Sequence, residues 1–265
     1  MARREGVMGD EGDKPSAVIL AAGKGTRMGS DLPKVAHPVG GRAMVCAVVD
    51  ACVEAGVGRI VVVVGYGREV VEAALGEYEV EFAVQDEQLG TGHAVRCAEE
   101  ALGELAWRDG HEVFVLCGDG PLIRSETLET MLQVHRRAGA AATLATSVIE
   151  DPSGYGRIVR DEDGRFAGIV EEKVATPAQR EIREVNPSYY CFEAPALFSA
   201  LKNVERNPVS GEYYVTDVPS ILMDEGRTVE VVAAVPPEDV LSINTPEDLA
   251  RVDAIYRGRS VRGPA

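Results

Sequence analysis

The chain has 265 residues, 45% hydrophobic and 26% charged, which suits one large or two small globular domains with a sizeable core. Its 43 acids against 27 bases leave a formal charge of −16 and argue against a nucleic-acid polymer or an anionic membrane surface as partner. A small anionic ligand stays open, because it responds to local rather than net charge.

The longest strongly apolar run, Ile60 to Val64, is far short of the ~20 residues a spanning helix needs. Arg3-Arg4 is followed by no apolar stretch, so residues 1–14 are expected to form a disordered tail rather than an export signal. Cys46, Cys52, Cys97, Cys117 and Cys191 form no Cys-x-x-Cys pair, and four of them sit in apolar periodic segments, as expected in a reducing cytoplasm. His37, His93, His111 and His135 lack zinc-type spacing.

In chain order, Ala17–Ala22 reads as a buried strand. Met44, Val45, Val48, Val49, Cys52 and Val53 recur at helical spacing and end at Gly56. Strands follow at Arg59–Val64, Val80–Val84 and Glu112–Cys117, separated by helices over Glu69–Leu75 and Gly92–Leu102 and followed by one over Ser125–Ala138. Such alternation implies parallel strands with helical crossovers, hence an α/β layered domain. Beyond it the pattern turns antiparallel: Arg157–Val159 and Phe166–Val170 flank Asp161-Glu-Asp-Gly164, a hairpin signal. A strand over Ser188–Phe192, helices near Pro195–Leu201 and Asp217–Glu225, and a strand over Thr228–Val235 complete it. Thr245-Pro-Glu-Asp248 opens a final helix, with Thr as cap and Pro at the first position. Residues 15–258 therefore read as one α/β domain, a Rossmann-like and mostly parallel sheet flanked by helices, with an antiparallel insertion; residues 259–265 are expected as a tail.

The first strand runs into Leu20-Ala-Ala-Gly-Lys-Gly-Thr-Arg-Met-Gly29. Glycines at a strand end let backbone N–H groups approach phosphate oxygens. The spacing fails the P-loop pattern, and it half-matches the dinucleotide pattern, with Met28 where a third glycine belongs. Lys24 and Arg27 lie in the loop and Lys34 follows; a polyphosphate needs such cations, a dinucleotide does not. Asp119, in Leu116-Cys-Gly-Asp-Gly-Pro-Leu122, stands just past a strand, where α/β sheets bind ligands. It either caps its own backbone before Pro121 or holds a hard cation such as Mg²⁺. Gln85 or Gln88 can read a pyrimidine edge, and Thr91 is a helix cap, a ligand contact, or both.

Together these segments resemble the sugar-phosphate nucleotidyltransferases. Glu87-Gln-Leu-Gly-Thr-Gly-His-Ala94, Gly154-Tyr-Gly-Arg-Ile158, Ile169-Val-Glu-Glu-Lys173 and Gly211-Glu-Tyr-Tyr-Val-Thr-Asp217 narrow the resemblance to the bacterial N-acetylglucosamine-1-phosphate uridylyltransferases, over nearly the whole chain. The resemblance implies the nucleotide-diphospho-sugar transferase fold and a Mg²⁺-dependent transfer from UTP to a sugar 1-phosphate, with no nucleic acid or membrane partner. It assigns the nucleotide to Leu20, Ala21, Ala22 and Gly23, with Gln85, Gly90 and Thr91 at uracil. Arg27 and Lys34 take the catalytic charge role, and Asp119 and Asn244 the metal. Gly118, Gly156, Glu171 and Asn186 fall to the amino sugar, with Tyr155 and Thr216 nearby.

The chain departs from that family at Gly120, usually branched, at Val174, usually Asp, and at Asn186-Pro-Ser188, usually Asn-Thr/Ser-Gly. The last change makes another sugar 1-phosphate the main alternative, ahead of a nucleotide-sugar-binding regulatory protein without catalysis. The family's hexapeptide β-helix, which trimerises it, has no counterpart before Ala265, so a monomer or dimer is expected.

Overall fold

Residues 14–260 of the chain are described in a computed structural model. The tail readings for residues 1–13 and 261–265, Arg3-Arg4 included, fall outside them. The chain runs through β1 (Ser16–Leu20), β2 (Pro38–Val39), β3 (Arg42–Ala43), α1 (Met44–Glu54), β4 (Arg59–Val64), α2 (Arg68–Ala74) and β5 (Glu81–Val84). It continues with α3 (Thr91–Cys97), α4 (Glu99–Leu102), β6 (Glu112–Cys117), α5 (Ser125–Ala138), β7 (Ala142–Val148), β8 (Gly156–Arg160) and β9 (Phe166–Val170). The last elements are α6 (Pro177–Arg180), β10 (Glu184–Glu193), α7 (Ala194–Leu201), α8 (Val218–Asp224), β11 (Val229–Val232) and α9 (Pro246–Ser260).

The main sheet has the order β11-β7-β10-β6-β1-β4-β5, with β8 attached to β10 and β9 to β8. β6, β1, β4 and β5 run parallel, with Leu20 opposite both Val63 and Cys117, so three strands end level at one edge. β10 enters antiparallel between β6 and β7, and β8 and β9 form the hairpin that the Asp-Gly turn signals. Each strand alternates between two cores. Ile19, Val62 and Leu116 face one with Val45, Val49, Leu128 and Met131, whereas Val18, Val61, Val63 and Val115 face the other with Val95, Leu102, Leu197 and Leu222. Burial on both faces is why these strands read as unbroken Val/Ile/Leu runs.

Two features escape the sequence reading. The stretch over Gly92–Leu102 is two short helices meeting at Ala98. And β7 is an unpredicted strand between β10 and β11. Its Ala-Thr-Leu-Ala-Thr-Ser sequence is buried residue by residue, so it shows no two-residue alternation, and alanine is a poor strand former until its neighbours bury it. The expected cap of α9 is present as a reciprocal box: Thr245 Oγ1 accepts from the Asp248 N–H at 3.1 Å, and Asp248 Oδ2 accepts from the Thr245 N–H at 2.9 Å. α9 continues to Ser260, and Arg259 pairs with buried Asp239. Among the described residues no helix is long and apolar enough to cross a membrane.

Candidate active site

The site lies where β1, β4 and β6 end. The Leu20 carbonyl accepts from Gly118 N (2.9 Å), Ala21 N donates to Val63 O (2.8 Å), and the Ala22 carbonyl accepts from Tyr66 N (3.1 Å). The start of the glycine loop is thus pinned to both neighbouring strand ends. Gly25 then turns left-handed (φ 70°), and a Cβ there would meet Lys34 Cβ at 2.5 Å. Only glycine lets the Lys34 stem lie across the loop.

That crossing brings together residues far apart in sequence. Lys34 Nζ donates to Asp119 Oδ2 and, at 2.8 Å, to Asn244 Oδ1; Arg27 Nη2 donates to the same Asn244 oxygen at 2.8 Å. Lys34 and Asp119 are largely covered, with side chains 15% and 21% exposed, so the pair is more than a surface contact. Backbone ties hold the cluster: Ile243 N donates to the Asp119 carbonyl at 3.3 Å, and Asn244 N to Asp248 Oδ2 at 3.0 Å. Tyr155, expected near the sugar, donates its hydroxyl to the Val240 carbonyl at 3.2 Å, on the segment that carries Asn244. Two further cations near the loop, Lys24 and Arg42, lie elsewhere. Lys24 sits over the Tyr66 ring (4.8 Å), and Arg42 bonds Asp50 and Tyr78.

One cavity opens on the cluster and a second adjoins the first. One, of about 330 Å³, is lined by Leu20, Ala22, Gly23, Lys34, Gln85, Gln88, Gly90, Thr91 and Asp119 among others. Most of the proposed nucleotide residues thus meet here; Ala21 is buried in the core. Gln88 Nε2 donates to the Ala22 carbonyl (2.9 Å), and Gln85 is buried and bonded to Gly90 and His93. Gly90, at φ 103°, caps α3 in place of Thr91, whose hydroxyl accepts from Val215 N at 3.1 Å. A Cβ on Gly90 would meet the Tyr213 carbonyl at 2.5 Å, which links the Gly-Thr-Gly-His and Glu-Tyr-Tyr-Val motifs physically.

The second cavity, of about 170 Å³, shares Leu20, Thr91 and Cys117 with the first and adds Glu171, Ser188, Tyr190, Tyr214 and Thr216. Burial pushes the Glu171 carboxyl up, with the Thr216 hydroxyl opposing it. Burial also pushes the Cys117 thiol up to about 12, which leaves it protonated and unreactive at neutral pH. Asn186 and Gly156 pair across β10 and β8 behind the cavity wall. There the Asn186 amide donates to Tyr190 Oη (2.6 Å) and accepts from Ser188 N (3.1 Å). Gly118 lies between β1 and β6, where a Cβ would meet the Leu20 carbonyl at 3.0 Å.

Sequence reasoning missed Cys117, Ser188 and Tyr190 as cavity residues. For Ser188 the signal was present in Asn186-Pro-Ser; the structure shows Ser188 at φ 64°, the one non-glycine residue with positive φ among those described. It missed Asp239 as well, a buried carboxylate held by Arg124 and Arg259 on the segment leading to Asn244, for which no motif exists.

Among the described residues no three His, Cys, Asp or Glu side chains converge as a metal cage. Two oxygens, one carboxylate and one amide, do converge on a cation, the Lys34 ammonium. Such a sparse hard-oxygen set suits an ion that keeps water and phosphate ligands, as Mg²⁺ does.

A family profile described as the MobA-like NTP transferase domain matches residues 17–206. Curated proteins called Bifunctional protein GlmU from Bacillus thuringiensis (strain Al Hakam), Bacillus cereus (strain AH820) and Bacillus anthracis are each 48% identical over 243 residues, which is 92% of this chain and 52% of theirs. The chain spans about half the length of the curated relatives it matches. The glycine loop, Arg27, Lys34 and Asp119 fall within the matched span while Asn244 lies beyond it, and the chain belongs to the MobA-like NTP transferase family, the nucleotidyltransferases.

Proposed function

We propose that the chain joins UTP and N-acetylglucosamine 1-phosphate to give UDP-N-acetylglucosamine and pyrophosphate. The observation that carries this reading is the cation cluster of Arg27 and Lys34 on Asp119 and Asn244, beside a nucleotide-sized cavity that shares three wall residues with a smaller one holding Glu171. Two adjoining cavities, the larger with Lys34 on its wall, suit a nucleoside triphosphate and a phosphorylated sugar meeting at phosphate.

In the reaction an oxygen of the sugar phosphate forms a bond to the α-phosphorus of UTP. The bond from that phosphorus to the bridging oxygen breaks, and its electron pair leaves with pyrophosphate. A phosphate monoester has a second pKa of about 6, so the nucleophile is already ionised at neutral pH and no general base is required. Cys117, on the wall shared by the two cavities, is held protonated and takes no part as a base. The chain's work is alignment and charge. The Leu20–Gly23 backbone and Gly90 hold the nucleoside, Glu171 and Thr216 contact sugar hydroxyls, and Arg27 and Lys34 stabilise charge on the departing pyrophosphate. Asp119 and Asn244 would hold Mg²⁺, which supplies added positive charge to the phosphate oxygens. Lys34, which bonds both Asp119 and Asn244, would with the ion held there be free to reach phosphate.

Ser188 favours a second reading within the same chemistry, a uridylyltransferase for a different sugar 1-phosphate. Both are tested by pyrophosphate release from UTP and Mg²⁺ with N-acetylglucosamine 1-phosphate against glucose 1-phosphate. Faster release with the amino sugar is expected. Preference for glucose 1-phosphate transfers the assignment to the second reading, and UDP-sugar binding without pyrophosphate release defeats both.

A further inference from the structure

We infer that His93 is a positioning residue for base selection: with the Gly90 carbonyl it holds both amide protons of Gln85, so that Gln85 offers the nucleotide cavity an oxygen and no donor. The inference deepens the uridylyltransferase reading and rests on it.

Gln85 is 4% exposed and lines the nucleotide cavity. Its Nε2 lies 3.0 Å from the Gly90 carbonyl and 3.0 Å from His93 Nδ1. A carbonyl carries no proton, so it must face the NH₂ side of the amide, and this fixes which end of Gln85 is which. The second amide proton then points at His93, whose Nδ1 accepts it and is unprotonated. The imidazole proton therefore resides on Nε2. Gly90 is itself held rigidly, since its carbonyl also accepts from Ala94 N at 3.1 Å and its left-handed turn packs on Tyr213.

The result is a fixed hydrogen-bond polarity. An acceptor oxygen favours a pyrimidine that presents N–H, as uracil does at N3, over one that presents a lone pair there, as cytosine does. A glutamine free to rotate by 180° about its last torsion would accommodate either. His93 removes that freedom without touching the base.

The test uses the full chain with His93→Leu, which removes the acceptor, and His93→Asn, whose Oδ1 can accept where Nδ1 did. Pyrophosphate release is measured with UTP and with CTP at fixed sugar 1-phosphate and Mg²⁺. His93→Leu is expected to lower the preference for UTP about tenfold, chiefly through KM for UTP with kcat nearly unchanged, as loss of one locked polar contact implies. His93→Asn is expected to keep most of the preference. Unchanged preference in His93→Leu, or equal loss in both variants, overturns the inference. A readout independent of turnover is the ¹⁵N spectrum of the imidazole, where Nδ1 is expected bare and Nε2 protonated; the reverse tautomer overturns the inference even in an active enzyme. If the wild type releases no pyrophosphate, the functional reading fails, and the tautomer then decides the geometry alone.

Discussion

The two ends of the proposed active site are made differently. At the nucleotide end the polar groups are backbone as well as side chain, presented where three parallel strands stop level and the chain turns through Gly25 and Gly90 beside Gln85, Gln88 and Asp119. At the sugar end they are side chains, Glu171, Ser188, Tyr190 and Thr216, borne on an antiparallel insertion and on β10, whose register shifts between Val185 and Tyr189. A wall that includes backbone tolerates little change at Gly25 and Gly90, each of which combines a close approach with a positive φ. A side-chain-built site can be altered one residue at a time. The departures from the family pattern follow this division. Ser188 lines the second cavity, Gly120 packs on the neighbouring Tyr189, and none of the departures touches the glycine loop. Val174 is more than half exposed, and nothing in the structure explains its change.

The sharpest way to break the comparison is at the phosphate cluster between the two ends. Arg27→Ala and Asp119→Ala are each expected to cut pyrophosphate release at least a hundredfold, the scale seen for other preorganised charge contacts, while the thermal melt stays close to that of the wild type. Near-normal turnover in either variant removes the cluster from the chemistry and with it the division proposed here.

A second test asks whether the antiparallel half is anchored to the parallel half by buried polar groups. His135 on α5 is buried, and its Nδ1 lies 3.0 Å from Thr143 Oγ1 on β7. Burial lowers its pKa from 6.5 to about 4. The folded protein keeps this imidazole neutral, whereas the unfolded chain takes up a proton as pH falls below 6.5. The contribution is full above about pH 6.5, declines down to about pH 4, and amounts to about 3 kcal/mol over that window at 1.36 kcal/mol per unit. Urea denaturation of the wild type and His135→Gln at pH 7 and pH 4.5 is expected to show a smaller loss in the variant. His111, lowered by burial as well, keeps that loss above zero. Equal losses would show that His135 does not anchor β7.

How much of this was readable beforehand divides along the same line. The loop from Leu20 to Gly29, the strand end before Asp119 and the capped helix after Asn244 were legible because each is a local pattern of glycine, charge or cap. The bonding of Lys34 to both Asp119 and Asn244 was not, since those residues lie 85 and 210 positions away and only the strand order makes them neighbours. β7 was hidden for a related reason, because its strand character comes from neighbours that bury it on both faces. Gly120 illustrates the limit. The family usually has a branched residue at this position, yet a Cβ there would meet Tyr189 Oη at 2.6 Å. Restoring the family residue with Gly120→Val should therefore destabilise by about 1–3 kcal/mol through overpacking, and Tyr189→Phe in the same chain should recover part of it. Full stability in Gly120→Val would mean that Tyr189 yields freely, contrary to its complete burial.

The smallest effect is expected at Ser188, and it separates strain from recognition. A non-glycine residue at φ 64° costs roughly 1–2 kcal/mol, against which glycine's greater freedom in the unfolded chain offsets about 0.5–1 kcal/mol. Ser188→Gly should thus raise stability by only about 0.5–1 kcal/mol. The hydroxyl lies beside the Tyr190 hydroxyl and the Cys117 thiol on the cavity wall, so its loss should also raise KM for the sugar 1-phosphate while KM for UTP stays unchanged. Ser188→Ala keeps the strained backbone and removes only the hydroxyl. If the hydroxyl recognises sugar, both variants shift KM alike and only the glycine variant gains stability. A shift in KM for UTP in either variant would erase the division between the two ends, because a change on β10 would then reach the nucleotide through the shared wall of Leu20, Thr91 and Cys117.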